Sequence, residues 1–162
     1  MNTYRIVVGI DGSAGSGRAL RWAARDARIR GGTVQAILTY EWPITEAALV
    51  TRPGPQAQRK IAEDVANTVV GEVNRAYPEV PIAVEVLRGN AVRTLASAAQ
   101  HADVLVVGSH GHGHLRHAVL GSVSEGCIQL APCPVVVVPD ARDQATPAHL
   151  EMVPSATAEP AP

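Results

Sequence analysis

The sequence contains no phenylalanine, and aromatic residues make up only 3% of its 162 residues. The core must therefore be aliphatic, and aromatic platforms that stack the bases of single-stranded nucleic acids are not expected. Basic and acidic side chains nearly balance, 14 against 15, so the chain lacks the positive excess typical of proteins that bind nucleic acid or anionic membranes. These scarcities favour a small-molecule ligand.

Cysteine is also scarce. Cys127 and Cys133 show neither C-x-x-C spacing nor a zinc-ligand pattern, so reduced thiols are preferred over a redox pair. No segment approaches the roughly 18 consecutive apolar residues of a membrane span, and the first residues lack the pattern of a secretory signal. We therefore expect a cytoplasmic protein that binds neither membranes nor nucleic acid.

Five short apolar runs rich in β-branched residues alternate with helical patterns. The runs cover residues 4–10, 33–40, 81–88, 103–108 and 134–139. Their alternation with helices predicts right-handed crossovers and an α/β fold, a doubly wound five-stranded parallel sheet with helices on both faces. Ligands of such sheets bind at the carboxyl ends of the strands.

Three amphipathic helices fill the intervals between the strands. The first is expected to end at Gly31 and Gly32, and the second before Tyr77 and Pro78. Apolar residues recur at helical spacing in each of them. The residues expected to face the core are Leu20, Ala23, Ala24 and Ala27 in the first helix, Ile61, Val65, Val69 and Val73 in the second, and Val92, Leu95, Ala96 and Ala99 in the third.

We expect one domain, residues 1–140, followed by a tail at 141–162. The tail is rich in proline, alanine and threonine and has too few apolar residues to fold alone, so it is interpreted as disordered. Residues 42–56 contain a Pro-Gly-Pro sequence and are interpreted as a loop, either exposed to solvent or acting as a lid over the site.

A glycine-rich loop follows the fourth strand. Gly108, Gly111 and Gly121 precede Ser122 and Ser124, where a helix begins. Glycine reaches positive φ and lets N–H groups approach an anion, and a helix N-terminus adds unpaired N–H groups and a favourable dipole. The pattern predicts a phosphate-binding cradle. The alternative is a set of unrelated turns with Ser122 as a simple helix cap.

This loop, the opening "IVVGIDGS" and the closing "CPVVVVP" together resemble the universal stress protein family, in its nucleotide-binding branch with the motif G-x2-G-x9-G-(S/T). The resemblance covers roughly residues 3–139. It implies an adenine nucleotide alpha hydrolase-like sheet of order 3-2-1-4-5, ATP as the ligand with or without Mg²⁺, and a regulatory role in the stress response. It also implies a homodimer through the edge strand 134–139, whose apolar edge invites pairing.

The resemblance further implies which residues border the nucleotide. The glycine loop would hold ribose and phosphates, and the main chain at Tyr40 would meet adenine. Asp11 would lie near ribose and phosphates, although Asp11 and Ser13 precede a helix that either could cap. The implied site residues are Gly9, Asp11, Tyr40, Gly89, Val107, Gly108, His110, Gly111, Gly121, Ser122, Val123 and Ser124.

Histidines mark a departure from the family pattern. They stand at 110, 112, 114 and 117, where many relatives carry arginine or lysine, so the departure implies weaker or pH-dependent phosphate binding. Their alternating spacing also suggests a metal site, but no cysteine or carboxylate lies nearby in the sequence to complete it.

Lys60 is followed by Ile61, so a Walker A motif is excluded. A slow ATPase, a binder preferring AMP or cyclic AMP, and a ligand-free interaction protein remain as alternatives.

Overall fold

The computed structural model describes residues 3–41, 54–111 and 120–139. Within these residues, five parallel strands form one sheet in the order β3-β2-β1-β4-β5, which confirms the predicted doubly wound fold. The strands are β1 (Arg5–Ile10), β2 (Thr33–Tyr40), β3 (Ile82–Arg88), β4 (Val104–Gly108) and β5 (Val135–Val138). The helices are α1 (Ala14–Arg30), α2 (Pro55–Ala76), α3 (Ala91–Ala98), which runs into a 3-10 turn (Ala99–His101), and α4 (Ser122–Leu130).

Two predicted segments fall largely outside the described residues. The tail at 141–162 lies outside them, as do positions 42–53 of the segment interpreted as a loop or lid. The end of that segment is described, and there the prediction is wrong, because Pro55 already begins α2. Proline suits this position because the first turn of a helix needs no N–H from it. No helix of the described ranges has the length and apolar character needed to cross a bilayer.

The apolar strands are explained by a core on each face of the sheet. Ile6 and Val8 of β1 belong to the face that α1 and α2 cover. Val7 and Leu105 belong to the opposite face, where Leu95 of α3 packs. Because neighbouring residues of a strand point to opposite faces, β1 and β4 must be apolar throughout their buried length.

Helix α1 follows its predicted pattern. Its predicted core residues are all buried, and Ser13 caps the helix by accepting a hydrogen bond from the Ser16 amide at 3.1 Å. The helix ends where Gly31 adopts φ 65°, a left-handed conformation that glycine reaches without a steric penalty.

Helix α2 is rotated slightly from the predicted orientation, with Val73 buried as predicted and Ile61 turned outwards. Ile61 is 51% exposed, whereas Ala62 and Ala66 of the adjacent stripe are buried together with Val70 and Val73. Alanines let the helix approach the strands closely, and the predicted Val65 and Val69 pack at the rim of the core. In α3, Leu95 and Ala99 are buried as predicted, whereas Val92 and Ala96 are half-buried.

The two thiols differ in burial, and neither forms a disulfide. Burial raises the pKa of the Cys127 thiol to about 11, from an ordinary value of 9.0. We expect a thiol reagent at pH 8 to modify half-buried Cys133 first, and Cys127 only after unfolding. Equal labelling rates of the two cysteines in the folded protein, measured by peptide mass mapping, would contradict this prediction.

The free energy of unfolding should fall as the pH rises from about 9 towards 11, because the Cys127 thiol ionises at a lower pH in the unfolded chain than in the folded protein.

Candidate functional site

A cavity of about 260 Å³ opens at the carboxyl edge of the sheet. It lies between the ends of β1, β2 and β4 and the first turns of α1, α3 and α4, where a doubly wound sheet binds its ligands. All predicted site residues except Tyr40 and Gly89 line it: Gly9, Asp11, Val107, Gly108, His110, Gly111, Gly121, Ser122, Val123 and Ser124.

The carbonyl of Ser109 clamps the two ends of the glycine loop together. It accepts hydrogen bonds from the Gly121 amide at 2.8 Å and from the Ser124 hydroxyl at 3.2 Å. The same hydroxyl reaches the Gly121 carbonyl at 2.7 Å, and Ser124 is buried. This clamp fixes the start of α4 against the end of β4, one wall of the cavity against another.

The glycines of this loop are needed for close approach. A Cβ on Gly108 would lie 3.0 Å from the carbonyl carbon of Gly15, and one on Gly111 would meet the Asp11 carboxylate. Positive φ values occur, among the described residues, only at Gly12, Gly31 and Gly89. Gly108, Gly111 and Gly121 therefore do not use the positive φ that glycine can reach; Gly108 and Gly111 supply room for backbone and carboxylate atoms.

Gly15 holds the amino end of α1 against this loop, and a matched pair of substitutions tests the contact. A Cβ on Gly15 would stand 2.6 Å from the His110 carbonyl oxygen, whereas one on Gly17 would meet only the Arg21 guanidinium at 3.9 Å. We expect Gly15→Ala to lower the free energy of unfolding by about 1–3 kcal/mol, because backbone must move. Gly17→Ala should raise it by about 0.5–1 kcal/mol. Urea denaturation measures both, and a stabilised Gly15→Ala variant would contradict the contact.

The amino end of α4 presents unpaired backbone donors to the cavity. Gly121 is the N-cap residue, with φ −76° and ψ 158°, and no side chain caps the helix. The interpretation of Ser122 as a simple cap is therefore wrong. Glu125 is the first residue whose amide bonds within the helix, to the Gly121 carbonyl at 3.0 Å. The amides of Ser122, Val123 and Ser124 precede it and have no intrahelical acceptor, which makes this turn suited to an anion.

Asp11 stands at the cavity without acting as the cap of α1. Its Oδ1 accepts a hydrogen bond from the Ser13 amide at 2.9 Å, and Ser13 itself caps the helix. The carboxylate borders Gly111. Asp11 is the only acidic residue of the described lining, which includes no lysine or arginine. Attraction for an anion therefore comes, in this part of the chain, from backbone amides and helix dipoles.

Tyr40 and Gly89 are joined to each other outside the cavity lining. The Gly89 amide donates to the Tyr40 carbonyl at 3.0 Å, and the Tyr40 side chain packs against the core beneath α1 and α2. Thr39 takes the expected place of Tyr40 in the lining, and Ala91 that of Gly89. Ile37 and Thr39 share one face of β2, and the Tyr40 side chain points to the other. The contact of the Tyr40 main chain with adenine stays a prediction.

The residues that sequence reasoning missed follow one rule. They come from the carboxyl halves of strands, the first two turns of helices, or the loop next to them: Ile10, Ser16, Ile37, Thr39, Ala91, Leu95, Ser109 and Leu120. The rule that ligands lie at strand carboxyl ends, applied together with period-two alternation, could have found Thr39 and Ile37. Leu95 was predicted only as a core residue.

The hypothesis that the loop histidines affect phosphate binding or hold a metal concerns mainly residues outside the described ranges. His110 lines the cavity, and its Nδ1 lies 3.2 Å from the Ser109 hydroxyl. Positions 112, 114 and 117 lie outside the described residues. Within the described part of the chain, no group of three or more His, Cys, Asp or Glu side chains is arranged to hold a metal ion.

Comparison with known proteins defines the class to which this fold and site belong. The sequence profile of the universal stress protein family matches residues 3–139, and the chain belongs to this family. Universal stress protein Rv1996 of Mycobacterium tuberculosis is 33% identical over 164 aligned positions, which cover 91% of this chain and 52% of that protein. The chain thus spans about half the length of the curated relatives it matches.

Solved structures share the fold at low sequence identity. A universal stress protein in complex with cAMP is 23% identical, with a TM-score of 0.66 over 86% of this chain and 98% of that one. The universal stress protein from Archaeoglobus fulgidus in complex with dAMP is 21% identical, with a TM-score of 0.54 over 85% and 99%. At these identities the likeness shows the fold.

Proposed function

We propose that this chain binds an adenine nucleotide, ATP in the first instance, at the carboxyl edge of its sheet. The observation that carries the proposal is the uncapped first turn of α4, whose amides open into a cavity on the edge where such folds bind ligands. The cAMP and dAMP complexes of structural neighbours support an adenine nucleotide over other anions.

The two ends of the cavity suit the two ends of a nucleotide. The aliphatic side chains of Ile37, Leu95 and Val107 form an apolar floor against which a base and ribose would pack. The amides of Ser122 and Val123 would receive the phosphates. This assignment places the adenine beside Thr39 and the phosphates between α4 and the glycine loop.

Asp11 favours the binding of ATP together with a divalent cation. A carboxylate beside the phosphate site repels a polyphosphate. Mg²⁺ bound to the phosphates would convert this repulsion into attraction, with Asp11 reaching the ion through water. We therefore propose MgATP as the bound species.

Co-purification and thermal stability test the proposal. Native mass spectrometry of the purified chain should show an adenine nucleotide, and ATP, ADP, AMP and cyclic AMP should be compared by thermal shift with and without Mg²⁺. A ligand at a hundred times its Kd stabilises the folded state by about 2.7 kcal/mol, so a shift would be plain. No bound nucleotide and no shift with any of the four would reject nucleotide binding. A shift with AMP or cyclic AMP alone would reject only ATP.

Nucleotide binding without efficient turnover is the function proposed. Phosphoryl transfer needs a group that orients the nucleophile and cations that neutralise developing charge. The described lining offers Asp11 and His110 as its titratable groups. Slow ATP hydrolysis, if measured, should disappear in Asp11→Ala, whereas contaminating activity would survive that substitution.

We also propose a homodimer through β5. The carbonyls of Pro134 and Val138 accept hydrogen bonds from β4 and the residue after it, so strand alternation turns the backbone groups of Val135 and Val137 to the outer edge. Light scattering should give about twice the 17.0 kDa chain mass. Val137→Pro removes one outward N–H and should lower the mass towards that of one chain. A single-chain mass for the unaltered protein would reject the dimer.

A further inference from the structure

One stripe of α1 exposes large apolar side chains between arginines. Arg18, Trp22, Arg25 and Ile29 follow one another at spacings of four, three and four residues, so they lie on one face of the helix. Trp22 is 37% exposed and Ile29 is 70% exposed. These four residues are called here the arginine–tryptophan face. Aromatic and arginine side chains together are characteristic of contact surfaces.

Helix α1 carries an excess of positive charge, although Arg28 lies 3.9 Å from the Glu79 carboxylate. The helix carries five arginines and a single acidic residue, Asp26, which Arg30 engages at 3.0 Å. Arg21 and Arg25 form no ion pair with any residue of the described ranges. The face therefore combines apolar area with the positive charge of Arg25, and it suits an acidic partner that carries apolar side chains.

The described chain ends beside this face. The carbonyl of Pro139, the last described residue, accepts a hydrogen bond from Arg18 Nε at 3.3 Å. Residue 140 is therefore joined to a residue that contacts the first arginine of the face. Residues 140–162 contain four acidic side chains, Asp140, Asp143, Glu151 and Glu159, and one arginine, Arg142.

The same segment contains a short apolar run at a suitable distance. Leu150, Met152 and Val153 surround Glu151. The ten residue-to-residue steps from Asp140 to Leu150 span up to about 33 Å when the chain is extended. The face from Arg18 to Ile29 is only about 16 Å long, at 1.5 Å per helical residue. The apolar run can thus reach any part of the face.

We propose that residues 149–153 dock on the arginine–tryptophan face of the same chain. Leu150 and Met152 pack on Trp22, and Glu151 pairs with Arg25. A segment with too few apolar residues to fold alone gains order on a surface that supplies the missing contacts and the opposite charge. This docking does not depend on nucleotide binding, and it covers the most exposed apolar part of α1.

Fluorescence of Trp22 in the full chain tests the docking. Trp42→Phe removes the second of the two tryptophans, so that acrylamide quenching reports on Trp22 alone. The quenching constant should rise about twofold when Leu150→Ser and Met152→Ser are introduced together, because burial of an aromatic ring excludes the quencher. Far-UV circular dichroism is recorded for each variant, and an unchanged spectrum shows that the domain remains folded. Equal quenching with and without the two substitutions overturns the proposal.

Exchanging the charges of Arg25 and Glu151 distinguishes a specific ion pair between them from a general loss of docking. Arg25→Glu alone should raise the quenching constant, and adding Glu151→Arg should restore it, whereas Arg75→Glu on α2 is a matched control that should leave it unchanged. Failure of the second substitution to restore protection overturns the assigned pair. Protection of Trp22 that appears only as protein concentration rises assigns the face to contact between copies and overturns docking within one chain.

Discussion

Ser122→Pro should weaken nucleotide binding about ten- to a hundredfold, because it removes one amide that would donate to a phosphate, and a hydrogen bond to a charged group contributes about 1.5–3 kcal/mol. The helix itself should tolerate the change. Ser122 is the first residue of α4, where proline is favoured, and Gly121 at φ −76° and ψ 158° already has the conformation that a residue before proline adopts.

The matched control is Ser122→Ala, which removes the hydroxyl and keeps the amide. Isothermal titration with ATP and Mg²⁺ should show a much larger loss for the proline variant than for the alanine variant. Thermal unfolding without nucleotide should be similar for both. Equal affinities for the two variants would show that the amide of Ser122 does not hold the phosphate and would move the anion to another part of the edge.

Ile6→Ala should lower the free energy of unfolding by about 2–5 kcal/mol, because it leaves a cavity in a packed core. Ile6 is 1% exposed at the centre of the sheet. The same chemical change at Ile61, which is 51% exposed on α2, should alter stability by only about 0.5 kcal/mol.

This pair tests the face that α2 turns to the sheet, because the sequence pattern assigns both isoleucines to the core. Urea denaturation followed by circular dichroism measures both variants. If Ile6→Ala does not fold, Ile6→Val should still cost about 0.5–1.5 kcal/mol and keeps the comparison. A loss at Ile61 as large as that at Ile6 would mean that α2 packs on the predicted stripe after all.

The strands were predictable because their residues carry the pattern directly. β2 spans the predicted residues 33–40. The strands β1, β3 and β4 begin one residue later than predicted, and β5 is shorter than predicted by one residue at each end. A strand covered on both faces must be apolar throughout, so it can be recognised from the local sequence alone as a short uninterrupted apolar run. The carboxyl-edge cavity also followed, because topology alone decides where the ends of parallel strands meet.

Details that depend on contacts between distant segments were not predictable in the same way. In the sequence, Gly15 resembles any glycine near the start of a helix. That this position requires glycine follows only from its contact with the His110 carbonyl, which lies far away in the chain. Tyr40 and Thr39 both end β2, and the choice between them depends on which face of the sheet borders the cavity. The burial of Ala62 instead of Ile61 depends on how closely α2 approaches the strands.

The clamp at Ser109 has a consequence for how this protein can vary. Because one carbonyl fixes Gly121 and Ser124, the anchoring points of the loop are set independently of the residues between them. Lengthening a closed loop is inexpensive, about 0.6 kcal/mol for each doubling. Exchanging the sequence between residues 111 and 120 should therefore leave the first turn of α4 in place, because neither hydrogen bond of the clamp involves those residues.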